Sequence, residues 1–154
     1  MSTYSTRKRR LKLINEMLKF YGLNTSVQFT NNIVDNINRK KFKYMPKKII
    51  IRYMGPPDSI HRETIYAEYI FDTDTIRLNE SALKNDDEFL VTLLHEMDHA
   101  RMSRNHGNNK FKQMYITETT NKEMSGNDGY YSNKYELQAE EWAHSELSRW
   151  QNKL

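Results

Sequence analysis

The sequence predicts an α+β domain. An amphipathic helical pattern in the first twenty-two residues, β-branched and aromatic runs between 49 and 79, and a return to helical period from about 86 onwards point to it. With 154 residues, a single domain is expected over 1–154, long enough to bury a core and too short to stabilise two.

The first helix is read from "TRKRRLKLINEMLKFYG". Leu11, Ile14, Met17, Leu18 and Tyr21 recur at three- and four-residue spacing, Thr6 is placed to cap the start and Gly22 to stop the end. "TNNIVDNINRK" is a weaker helix, and the lysine-rich stretch after it is a connector ended by Pro46. "IIIRYM" (49–54) is a strand closed by "GPPD". "TIYAEYIF" (64–71) is a second strand, which "DTDT" turns into "IRLN" (76–79), giving a small antiparallel meander within a short antiparallel or mixed sheet.

Helical period resumes in "NDDEFLVTLLHEMDHARM", expected to run from about 86 to 103, with Asn85 and Glu88 in capping-box spacing. The polar, Asn-rich stretch that follows reads as a long loop holding at most a short helix around "KFKQMYI". A last helix carries Tyr135, Ala139, Trp142, Ala143, Leu147 and Trp150 as its apolar stripe.

Charge divides the chain unevenly. Residues 1–48 hold twelve Lys/Arg against Glu16 and Asp35, a net +10, and 49–154 hold twelve against eighteen acids, a net −6. The basic N-terminal helical region (1–48) suits nucleic acid or an acidic protein as partner, or forms a solvated face docked on the acidic core region (49–154). No apolar run reaches membrane-spanning length and no leader pattern opens the chain, so a soluble cytoplasmic protein is expected.

There is no cysteine, which excludes disulfides, thiolate metal sites and cysteine nucleophiles and leaves histidine and carboxylates as the strong zinc ligands. Three of the five histidines fall within "LLHEMDHARMSRNHG", where His95, Glu96 and His99 fit H-E-x-x-H. On a helix, residues i and i+4 share a face, so both imidazoles reach one Zn2+ while Glu96 faces a metal-bound water as general base. The competing interpretation is two surface histidines beside a solvated glutamate.

An open catalytic zinc site takes three protein ligands. Glu136 is one candidate for the third. Ala139 and Ala143 lie one and two turns further along nearly the same face and permit close approach of the two helices, although Asn133 and Glu136 also have capping-box spacing. His106 is the other, with Gly107 able to turn the ring back. His61 and His144 suit surface or packing roles, His144 also a supporting contact at the site, and Tyr130, Tyr131 and Tyr135 could supply a phenol to an oxyanion.

The order of these elements resembles the ImmA/IrrE-type zinc metallopeptidases of zincin-like fold. "HEMDH" is followed by "ELQAEEWA", in which Glu136, Ala139 and Ala143 match that family's E-x-x-A-N-x-F-A pattern, with Glu140 in place of Asn and Trp142 in place of Phe. The resemblance covers roughly 49–147 and implies a zinc-dependent endopeptidase acting on a polypeptide, regulatory and encoded by a phage or mobile element, with His95, His99 and Glu136 as ligands and Glu96 as base. "HEMDHA" with "HGNNKF" is similar also to the SprT-like family, which implies His106 as ligand and DNA as partner. A non-catalytic zinc or nucleic-acid-binding module is the alternative from a different class.

Overall fold

A computed structural model of the chain describes residues 3–30, 66–80 and 82–154. The strand expected at 49–54, most of the weaker helix, the connector and His61 lie outside the described residues, as does the start of the strand expected at 64–71. The described residues form a mixed α+β arrangement of four helices and a small three-stranded sheet.

Helix α1 (Thr3–Phe20) begins three residues before the expected Thr6 cap and ends where Gly22, at φ 68°, lets the Leu23 N–H turn back to the Leu18 carbonyl at 2.8 Å. Its buried side is Arg10, Leu13, Ile14 and Met17, whereas Leu11, expected inside, is exposed. Arg10 is tolerated inside because its guanidinium donates to the Leu83 carbonyl at 2.6 Å, pairs with Asp86 at 3.2 Å and lies over the Phe89 ring. Arg7 reaches Glu80 with two hydrogen bonds of 2.7 and 3.0 Å, so part of the basic region is docked on the acidic remainder.

Strand β1 (Ser26–Thr30) was not anticipated. It pairs in parallel with β3 (Thr75–Asn79), Val27 opposite Ile76 and Phe29 opposite Leu78, and β3 pairs antiparallel with β2 (Ala67–Ile70) on its other side. The sheet is therefore mixed, in the order β1-β3-β2, with the expected antiparallel pair β2–β3 joined by a parallel strand. The turn between β2 and β3 falls at "FDTD" (71–74). Asp74 takes a left-handed conformation, φ 47°, in which its carboxylate accepts from Tyr69 Oη at 2.5 Å and from both terminal nitrogens of Arg104.

Helix α2 (Asp86–His106) starts at the expected cap, with the Asn85 side chain accepting from the Glu88 N–H at 3.0 Å. Its amphipathic pattern understates its burial. Leu93 through Ala100 are buried without interruption, because both the sheet and the later helices pack against it. Ile76, Leu78, Tyr69 and Ala67 of the sheet join Phe89, Leu90, Leu93, Leu94 and Met97 of α2, and Leu13, Ile14 and Met17 of α1, in one core.

The short helix expected around "KFKQMYI" is a longer one, helix α3 (Asn108–Met124), which Gly107 separates from α2 at φ 88° and which leaves only 125–133 of the expected loop. It buries only Phe111, Tyr115 and Thr119, a single file at four-residue spacing. Among the described elements, helix α4 (Lys134–Trp150) and α2 pack on each other most extensively, with Ala139 and Ala143 fully buried. Truncating Leu93 to alanine should cost roughly 2–5 kcal/mol in urea unfolding, whereas Leu137→Ala, on the exposed side of α4, should change stability by less than about 0.5 kcal/mol.

Candidate metal centre

Helix periodicity places His95 and His99 one turn apart on α2, and the close approach permitted by Ala139 and Ala143 brings Glu136, in the first turn of α4, against both. Glu136 Oε1 lies 2.7 Å from His95 Nε2 and 2.9 Å from His99 Nε2. One ligand atom from each of the three residues falls within 4.8 Å of the others. Glu136 does not close its own helix. That end is capped by Asn133, whose side chain accepts from the Tyr135 N–H at 2.9 Å and donates to Thr119 Oγ1 at 3.1 Å.

Two contacts at the cluster were not anticipated. Glu140 Oε2 lies 2.7 Å from His95 Nδ1, and Tyr115 Oη donates to Glu136 Oε2. The first was implicit in spacing, since Glu140 follows Glu136 by one turn on the same face. Tyr115 could have been found from its interval with Phe111, four residues earlier, once 108–124 was read as a helix. The tyrosines singled out from the sequence are placed otherwise: Tyr135 packs edge-on to Phe111, and Tyr130 lies against Tyr131. His144 contacts Glu140 through Nε2 at 3.0 Å. His106 ends α2, exposed, its ring stacked on Phe111 and outside the cluster.

The electrostatics follow from this crowding. Burial alone would lower the His95 pKa, but the carboxylates of Glu136 and Glu140 outweigh it and raise it to about 11. Burial likewise opposes charge on His99, and Glu136 prevails and raises it. Glu136 is held well below the usual carboxylate range, its burial overcome by the two imidazoles. Burial pushes Glu96 up, against the pull of His95 and His99. On β2, burial pushes Glu68 up to about 7 against its buried partner Arg77, 3.2 Å away, with a smaller push from Glu96.

A neutral imidazole can donate from only one ring nitrogen. His95 faces a carboxylate oxygen at both, an arrangement satisfied by an imidazolium or by a cation among His95, His99 and Glu136. Two imidazole nitrogens and one carboxylate oxygen are a donor set that suits zinc. The Glu96 Oε2 atom, buried and without a hydrogen-bond partner among the described residues, fits a carboxylate held ready for a further group at this site. No family model, curated protein or solved structure matches the chain.

In metal-free protein the raised histidines contribute stability that is fully present below their ordinary pKa of 6.5 and is lost as pH rises through the folded-state value, about 11 for His95. Chelator-treated protein should therefore lose stability steadily from pH 6.5 upwards, read as the urea midpoint against pH. The slope should flatten in His95→Gln.

Proposed function

We propose that this chain is a zinc-dependent endopeptidase of zincin-like type, in which His95, His99 and Glu136 hold Zn2+ and Glu96 is the general base. The observation that carries this reading is the convergence of the three ligand atoms within 4.8 Å at an H-E-x-x-H helix. Glu136 is preferred to His106 as third ligand because it is the residue that meets both imidazoles.

Bound zinc would polarise a scissile carbonyl and bring the pKa of a water near neutrality. The chain's own residues supply the rest. Glu96, beside His95 and raised by burial, takes the proton of the attacking water and passes it to the leaving amine. Glu140, on His95 Nδ1, fixes which ring nitrogen faces the ligand set. An extended polypeptide would be presented by strand addition along β2, whose one partner among the described residues is β3. Among the described residues no helix is long and apolar enough to cross a membrane.

Zinc content per chain, measured after parallel dialysis, should be about one for the wild type and for His106→Ala and should fall to a trace in Glu136→Ala. A wild type without zinc, or loss confined to His106→Ala, would overturn the assignment. Glu96→Gln should keep its zinc and lose about 100-fold or more of its cleavage of an unfolded polypeptide. Full turnover by that variant would sink the assignment of Glu96 as base.

A further inference from the structure

Helix α3 takes up seventeen of the thirty-six residues between His99 and Glu136, and nothing in the H-E-x-x-H chemistry calls for it. Its three buried residues run in single file toward the cluster, and Phe111 and Tyr115 stand with Phe71 and Tyr135 in one aromatic group. The Tyr115 ring meets that of His99 edge-on, 6.0 Å between centres, and the Phe111 ring lies 6.3 Å from it. Within this apolar group the hydroxyl of Tyr115 donates to Glu136 Oε2.

The two oxygens of Glu136 are thereby given different partners. Oε1 meets both imidazole nitrogens, and Oε2 meets the phenol. A carboxylate free to rotate can offer a metal either oxygen or both, and its mode of binding changes how many positions are left for water and substrate. Holding one oxygen in a hydrogen bond removes that freedom and orients the other. The helix is anchored for the task. The Asn133 amide donates to Thr119 Oγ1 at 3.1 Å and the Lys134 N–H donates to Glu118 at 2.9 Å, so α3 is tied to the start of α4 within three residues of Glu136.

We infer that Tyr115 is a positioning residue, delivered by α3, that holds Glu136 to one-oxygen binding and keeps a coordination position open. The inference rests on the zinc-site reading above, and it assigns α3 a purpose: it orients the third ligand from outside the ligand helices. Each outer contact then has its own object. Glu140 orients His95 and Tyr115 orients Glu136.

The test is zinc affinity by competition with a chromogenic chelator, together with the visible spectrum of the Co2+-loaded protein, for the wild type, Tyr115→Phe and Phe111→Leu. Tyr115→Phe removes one oxygen from the aromatic group and should weaken zinc binding about 10- to 100-fold. Its Co2+ spectrum should lose intensity as Glu136 binds through both oxygens and the coordination number rises. Phe111→Leu disturbs the same packing and spares the hydroxyl, and its affinity should stay within about threefold of wild type. Unchanged affinity and spectrum in Tyr115→Phe, or an equal loss in Phe111→Leu, would overturn the inference while leaving the zinc site standing. A wild type that takes up neither metal would overturn both, and that failure is visible before any variant is compared.

Discussion

An imidazole with a carboxylate oxygen at each ring nitrogen, as His95 has, is stable only with a proton on both nitrogens or a cation at one of them. Keeping that arrangement buried demands that two helices approach closely and stay in register, and much of the architecture can be traced to this demand. The alanines of α4 remove the bulk that would hold it away from α2. The sheet packs on α2 through Ile76 and Leu78, and α1 joins the same core with Leu13, Ile14 and Met17. Breaking the cluster by removing one charge would leave its partners buried and uncompensated, which costs far more than the pair contributes when whole.

The parts legible in the sequence were those governed by short intervals. The i, i+4 spacing of His95 and His99, the Asn85 cap, the Gly22 stop and the small residues at 139 and 143 each depend on neighbours within two turns, and each is found where it was expected. The position of Glu136 was also legible, because its alanines announced which face of the last helix would be pressed inward.

What the sequence concealed depended on distant partners. Strand β1 alternates Val27 and Phe29 with exposed Ser26 and Gln28, but five residues carry little signal until the parallel partner at 75–79 is known. Helix α3 hides its period because one narrow file of Phe111, Tyr115 and Thr119 faces inward while Asn, Lys, Thr and Glu fill most of the remainder. Leu11, expected inside, is exposed, and Arg10 is buried because it finds a carbonyl, a carboxylate and a ring across the chain at Leu83, Asp86 and Phe89. Hydropathy alone could not foresee that a cation would be the better-satisfied core residue.

Both tryptophans of the chain sit on α4. The Trp142 ring lies under the guanidinium of Arg101, a residue of α2 that also pairs with Asp98, and the Trp150 indole donates to Tyr21 Oη at 2.8 Å beside Phe20. The intrinsic fluorescence of this protein is thus a private channel to one helix. Trp142 sees the seam between α4 and the histidine helix, and Trp150 sees the seam with α1. Tyr21, next to α1, packs against both rings, so emission colour and quenching report on the two seams together, with no label attached.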